Sequence, residues 1–183
     1  VYAMRTHDAS VKERGTLPMT HYTTVFGSLD DYEKGGVDVI NDDPKYYAFS
    51  NVFEVASNAR PYEKVAVGKN LEYVLEAIRA DGTSEWRATP HDEFALVMSG
   101  TVEIHLRDPD EQLVAPDAEG SIGLDAEPAG TPMGKVTATV GHMTMLPAGK
   151  AYRFHADNPS VILLQTIEGP DTIYRRADIC QTV

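Results

Sequence analysis

Four side chains in two short segments decide what chemistry this chain can perform. Arg87, Thr89 and Glu93 lie in EWRATPHDEFALVMSGTVEIHL, and Tyr152 lies in GHMTMLPAGKAYRFHADN. A divalent iron, manganese or nickel site needs neutral imidazoles together with a carboxylate. Only Glu93 is such a ligand, because a guanidinium offers no lone pair, a threonine hydroxyl binds weakly and a tyrosine ionises only near pH 10. These four positions predict no metal.

The histidines of the same region are the alternative source of imidazole ligands: His91, His105, His142 and His155. Residues two apart on a strand share a face, so His155, three residues after Tyr152, is expected to point away from it. His91 has the parity of Glu93, but its Pro-His-Asp context is typical of a turn at the entry of a strand. A metalloenzyme that uses His91 or His142 remains an alternative.

Without a metal, the same side chains allow two interpretations. Arg87 and Glu93 share parity, which predicts a buried ion pair, with Tyr152 donating a hydrogen bond to the carboxylate. The alternative is a small-molecule site in which Arg87 holds an anion and Glu93 or Tyr152 moves protons. The latter corresponds to a self-sufficient metal-free isomerase or lyase, or to a ligand-binding module without chemistry.

Composition excludes several classes of function. The formal net charge of −12 over 183 residues argues against nucleic-acid binding, which needs clustered Lys and Arg. No apolar run approaches the roughly 18 residues of a membrane helix, and the N-terminal residues lack a signal pattern, so we expect a cytoplasmic protein. The single cysteine, Cys180, excludes a disulfide framework and a cysteine-based metal site.

The hydrophobic pattern predicts an all-β fold after residue 60. Short β-branched or aromatic runs alternate with Gly, Asn, Asp or Pro, and no helical segment intervenes: YEKVAV, EWRAT, EFALVMS, TVEIHLR, KVTATV, HMTMLP, AYRFHA and SVILLQTIE. LEYVLEAIRA fits a helix or a strand, and its position favours a strand. Many strands joined by short turns indicate an antiparallel sandwich or barrel.

The chain is predicted to have one domain with extensions. Residues 1–60 form an arm that packs on the barrel or on a partner, with a short helix capped by Ser28. Residues 61–169 form the barrel, interrupted at 108–134 by an acidic insertion that we expect to be a surface loop. Residues 170–183 form a tail.

The two segments resemble the two cupin motifs. Glu93 and Gly100 keep the spacing of the leading motif, and Gly141, Pro147 and Gly149 keep that of the trailing one. In cupins two histidines stand where Arg87 and Thr89 stand here, and a third stands at the position of Tyr152. The resemblance implies a single jelly-roll-like barrel whose metal site is degenerate.

A cupin barrel without metal ligands, with a long arm and an acidic insertion, resembles the small subunit of two-subunit hydroquinone 1,2-dioxygenases. This resemblance implies a larger cupin subunit that holds non-haem Fe(II) and a heterotetramer with two copies of each chain. It also implies ring opening of hydroquinone to 4-hydroxymuconic semialdehyde, with this chain stabilising the complex and shaping the partner's site.

The remaining apolar residues are assigned by parity for Trp86 and by hydrophobicity alone for the others. Trp86 has the parity opposite to Arg87 and Thr89, which predicts that it faces away from the barrel interior and favours an interface or substrate contact over a core position. Four residues are predicted to lie in the core: Met98, Met143, Met145 and Leu146.

Overall fold

The computed structural model describes residues 51–175. This range forms one helix and nine strands: α1 (Val52–Ser57), β1 (Val65–Asn70), β2 (Tyr73–Thr83), β3 (Trp86–Ala88), β4 (Glu93–Ser99), β5 (Thr101–Pro109), β6 (Ile122–Leu124), β7 (Gly130–Thr139), β8 (Met143–Leu146) and β9 (Ala151–Ile167). The predicted Ser28 helix, most of the arm and Cys180 lie outside the described residues. Nothing in the described range is a helix with the length and apolarity that crossing a bilayer requires.

The 17-residue strand β9 connects the whole sheet. Its first part pairs with β3 and β5, and its second part pairs with β2 and β4. The outer strands then add to these: β6 to β3, β7 to β5, β1 to β2 and β8 to β4, all antiparallel. We call β6–β3–β9–β5–β7 the first half-sheet and β1–β2–β9–β4–β8 the second half-sheet.

Both half-sheets contribute alternate residues to one hydrophobic core. Ala95 and Val97 of β4 meet Ile104 of β5 and Phe154 of β9 there, and each is at most 2% exposed. Period-two alternation puts these residues on the concave face because neighbouring residues of a strand point to opposite sides. The predicted all-β, single-barrel architecture is confirmed, and LEYVLEAIRA is a strand within β2.

The strand β9 joins two segments that the sequence predicts as separate strands. Asp157, Asn158 and Pro159 are exposed and have no cross-strand partner in β2, whose register shifts opposite them. Proline lacks a backbone N–H and is accommodated at such an irregularity. The strand therefore continues through a bulge instead of ending at the proline.

The predicted surface loop 108–134 is partly strand. β5 extends to Pro109, β6 lies within the insertion and pairs with β3, and β7 already begins at Gly130. A Cβ atom on Gly130 would lie 2.1 Å from the carbonyl oxygen of Asp108, so only glycine allows the two strands to approach so closely. β6 has three residues, which is too short for a periodic pattern to be recognised.

Two of the four residues predicted to lie in the core are exposed. Leu146 is fully buried and Met98 is half-buried, but Met143 is 64% exposed and Met145 is 50% exposed. Both methionines lie on β8, where they alternate with the inward residues Thr144 and Leu146. The prediction was wrong for them because hydrophobicity does not reveal which face of a strand is covered.

The helix α1 was not predicted. The side chain of Asn51 caps it by accepting hydrogen bonds from the backbone N–H groups of Phe53 (2.9 Å) and Glu54 (3.3 Å). Its only fully buried residue is Ala56. Six residues give about one and a half turns, so packing against the sheet stabilises this helix more than its own sequence does.

Candidate functional site

Glu93 is the first residue of β4 and is completely buried inside the barrel. The Tyr152 hydroxyl donates a hydrogen bond to Oε2 of Glu93 at 2.5 Å, and the Thr166 hydroxyl donates one to Oε1 at 2.5 Å. Burial and the neighbouring carboxylate raise the pKa of Tyr152 well above its usual value, so the phenol keeps its proton. Two hydroxyl donors thus hold this carboxylate, one of them the predicted Tyr152.

Thr89 and His91 extend this hydrogen-bond network at the mouth of the barrel. Nε2 of His91 accepts a hydrogen bond from the backbone N–H of Ile167 at 3.2 Å, and Nδ1 lies 3.0 Å from the Thr89 hydroxyl. Burial lowers the pKa of His91, although the charge of Glu93 opposes this effect. A neutral His91 whose acceptor nitrogen binds a backbone N–H has no lone pair left for a metal ion.

Arg87 does not pair with Glu93 as the sequence predicted. Its inward register is as expected, because it lies opposite Tyr152 in the β3–β9 pair. Its guanidinium instead forms ion pairs with Glu85 and with Asp171, whose carboxylates are 52% and 49% exposed. A half-exposed carboxylate costs less to desolvate than a buried one, so the long side chain turns towards the surface.

A buried ion pair that the sequence did not predict lies next to these residues. Nζ of Lys64 is 3.2 Å from Oε2 of Glu76, and the two side chains are 4% and 0% exposed. Lys64 also donates to Ser121 at 2.7 Å, and Thr172 donates to Glu76 at 2.7 Å. Burial raises the pKa of Glu76, and the charge of Lys64 opposes this shift. In the sequence, the only indication of this ion pair was the acidic residue Glu76 at an inward position of β2.

The remaining barrel histidines bind elsewhere. Their side-chain partners are a carboxylate or a hydroxyl on an outer strand or turn: Glu103 for His105, Thr139 for His142, and Thr83 and Asp157 for His155. These contacts do not bring an imidazole to Glu93, and His155 points away from Tyr152 as its parity predicts.

Trp86 lies on the outer face of β3 and is covered by its own chain. The guanidinium of Arg153 stacks on the indole, with its Cζ 4.8 Å from the ring centroid, and Trp86 is only 7% exposed. The indole Nε1 is buried and has no hydrogen-bond partner among the described residues. An unsatisfied buried donor costs about 1–3 kcal/mol, which makes this N–H group conspicuous.

The overall structure has a close counterpart of known function. A crystal structure of hydroquinone 1,2-dioxygenase from Sphingomonas sp. TTNP3 with 4-hydroxybenzoate bound contains a chain 53% identical to this one. The match covers 88% of this chain and 98% of that chain, with a TM-score of 0.81. The chain belongs to the hydroquinone 1,2-dioxygenase family.

Two further structures of hydroquinone 1,2-dioxygenase show what the family contains. PnpCD in complex with Cd2+ and 4-hydroxybenzonitrile includes a chain 48% identical, with 88% of this chain and 98% of that chain covered and a TM-score of 0.79. PnpCD in complex with Fe3+ includes a longer chain, of which this chain covers 40% at 14% identity and a TM-score of 0.58. The longer chain therefore shares the fold. No family model matches the chain, and no curated protein does.

The hydroquinone dioxygenase PnpCD has been crystallised with iron, but the side chains that surround Glu93 in this chain do not fit iron. Within residues 51–175 no group of three His, Cys, Asp or Glu side chains is arranged to hold a metal ion. The Glu93 carboxylate is held by Tyr152 and Thr166, and both of its oxygens already accept hydroxyl hydrogen bonds. Non-haem iron needs imidazole ligands and open positions, which these side chains do not provide.

Proposed function

We propose that this chain is the small, metal-free cupin subunit of a two-subunit hydroquinone 1,2-dioxygenase. The observation that carries the proposal is the 53% identity over 98% of the Sphingomonas chain. In this proposal a larger cupin subunit binds Fe(II) and opens the ring of hydroquinone to 4-hydroxymuconic semialdehyde. The two chains form a heterotetramer with two copies of each, and a cytoplasmic location remains a prediction.

The chemistry of the reaction explains why the iron belongs to the partner. Ring cleavage by a non-haem iron enzyme requires a metal with open positions for the aromatic diol and for dioxygen. Here the corresponding interior is filled by the hydrogen-bonded carboxylate of Glu93 and the phenol of Tyr152. The role of this chain is then to stabilise the complex and to help shape the active site of the larger subunit.

A self-sufficient isomerase or lyase that uses Glu93 and Tyr152 has less support. An acid/base pair must come within hydrogen-bond distance of its substrate. Glu93 is 0% exposed and Tyr152 is 1% exposed, and their polar atoms are bonded to each other. Arg87, the anion-binding group of that alternative, is engaged by two carboxylates.

The test is reconstitution from separated chains. The full chain is purified alone and together with the longer cupin subunit that the proposal assigns to it, and each is assayed for metal content and for oxygen consumption with hydroquinone. We expect turnover only in the mixture and iron only with the longer chain. Turnover or stoichiometric iron in the isolated chain would contradict the proposal.

Trp86 is the residue of this chain that we propose to contact the partner subunit or the aromatic substrate. Its indole lies outside the barrel, and its N–H group has no acceptor among the described residues. Indole combines a large apolar surface with one donor, which suits an interface or an aromatic ligand. Because Nε1 is buried under side chains such as Arg153, an acceptor supplied by the complex would satisfy this donor only after those side chains move aside.

The substitution Trp86→Phe distinguishes a contact with the partner subunit or substrate from a structural role in the isolated chain. It keeps an aromatic ring under Arg153 but removes the N–H group. Because the donor is unsatisfied in the isolated chain, we expect the melting temperature of that chain to stay equal or rise. In the reconstituted enzyme we expect KM for hydroquinone, or the dissociation constant of the complex, to rise about three- to tenfold, as for one lost hydrogen bond. A variant that leaves both constants unchanged would exclude this contact.

A further inference from the structure

The outward side of the second half-sheet carries a band of apolar side chains, interrupted by the exposed Gln165 of β9 between Phe94 and Leu75. Cross-strand partners share a face, and the register aligns Met145 with Phe94 and Met143 with Leu96 on adjacent strands β8 and β4. Leu96 in turn lies opposite Leu163 of β9. Six residues define this outer apolar face: Met143, Met145, Phe94, Leu96, Leu163 and Leu75.

Within residues 51–175, this outer apolar face is left open to solvent. Met143, Met145 and Leu75 are 64%, 50% and 40% exposed, and the other three residues are half-buried. Charged side chains in these strands begin at its margin, with Asp92 before β4 and Arg79 further along β2. A chain of net charge −12 thus keeps a charge-free band with a charged border, which is the usual arrangement of a protein–protein interface.

The chain's own helix covers only one end of the half-sheet. α1 packs on β1 and β2, where Ala56 and Ala77 are both fully buried. Beside it an apolar pocket of about 400 Å³ remains, lined by Val52, Tyr73 and Leu163 among others. Because strands are about 4.8 Å apart, the methionines of β8 lie about 14 Å from β2, across β9 and β4. The helix α1 therefore lies at the end of the half-sheet away from these methionines.

We propose that the outer apolar face is the docking surface for the cupin barrel of the larger subunit. This inference rests on the proposed function. The longer chain of PnpCD contains this fold, so the partner presents a comparable sheet. Two sheets pack face to face about 10 Å apart through interdigitated apolar side chains. The four strands that carry these residues give a band about 14 Å wide, which is the apolar centre of an interface that needs about 800 Å² on each partner.

The test introduces charge at the two most exposed positions of the face. The double substitution Met143→Asp and Met145→Asp is compared with Met133→Asp, a methionine on β7 of the first half-sheet that is 49% exposed. Binding of each full chain to the longer cupin chain is measured by sedimentation. We expect the double variant to bind at least about tenfold more weakly and Met133→Asp to stay within about twofold of wild type.

The same protein preparations show whether the face is covered instead by residues 1–50 or by a second copy of this chain. Melting temperatures of the isolated variants should equal that of wild type, because the replaced side chains are half exposed or more. Unchanged binding of the double variant would overturn the docking site. If the double variant melts at a lower temperature but binds the longer chain as wild type does, residues 1–50 cover the face. If wild type is a dimer and the double variant is a monomer, a second copy of this chain covers it. Either result overturns the docking proposal. Failure of wild type to bind the longer chain would instead refute the proposed function.

Discussion

Replacing Lys64 with methionine is expected to lower the free energy of unfolding by about 3–5 kcal/mol. The substitution keeps most of the side-chain volume but removes the cation 3.2 Å from Glu76, whose carboxylate is 0% exposed. Thr172 would remain as a donor to one oxygen only. Denaturation in urea, read by circular dichroism, measures the loss directly.

Two comparisons make the Lys64 result specific. Lys69→Met removes a lysine from a more exposed pair with Glu168 and should change stability much less. The double variant Lys64→Met, Glu76→Leu should recover most of the loss, because two apolar residues replace a buried ion pair at little cost. Equal losses in the Lys64 and Lys69 variants would show that the buried pair is not special.

The Lys64 variant should also depend on pH in a defined direction. Burial already raises the pKa of Glu76 above its usual value, and removing Lys64 takes away the charge that opposes this shift. A carboxyl group whose folded-state pKa is raised contributes stability at low pH and loses it as pH rises through that pKa. The deficit relative to wild type should therefore be larger at pH 8 than at pH 5.

Replacing Tyr152 with phenylalanine is expected to cost about 2 kcal/mol of unfolding free energy. The ring stays in the core beside Phe154, but Glu93 loses the hydroxyl donor at 2.5 Å and keeps only Thr166. A hydrogen bond to a buried charged group is worth more than one between neutral groups, which is why the effect exceeds that of an ordinary tyrosine hydroxyl.

The matched control for Tyr152→Phe is Tyr174→Phe. Tyr174 also donates to a carboxylate, at 2.8 Å from Glu168, but near the surface, so its loss should matter much less. A Glu93→Leu substitution combined with Tyr152→Phe should cost less than the sum of the two single variants, because they remove the same bond. Additive losses would mean that Tyr152 and Glu93 contribute to stability independently.

According to these two predictions, the polar residues inside the barrel stabilise the fold. In the proposed enzyme, Tyr152→Phe and Lys64→Met should lower the melting temperature while the assembled complex keeps its KM for hydroquinone. Trp86→Phe and the β8 methionine variants should leave the melting temperature of the isolated chain unlowered. They should instead weaken the complex or, for Trp86→Phe, raise KM for hydroquinone. The proposal thus separates an inner, stabilising set of residues from an outer set that meets the partner.

The sequence by itself determined the strands and the faces of most residues. Period-two alternation placed Glu93 and Tyr152 inside the barrel and Trp86 outside it, since successive side chains of a strand point to opposite sides. Ligand chemistry likewise followed from residue types alone, because neither Arg87 nor Thr89 provides an imidazole.

Only the tertiary structure decided which partners these side chains meet. Arg87 had the parity to reach Glu93 but bonds to Glu85 and Asp171, because a long flexible side chain has several neighbours within reach and takes the ones that need least desolvation. Lys64 lies in the predicted run YEKVAV, immediately before β1 begins at Val65, but nothing in that run indicates its partner, and only the fold brings it to Glu76. Parity fixes the side of a sheet to which a residue points, whereas packing of other segments decides whether that side is covered.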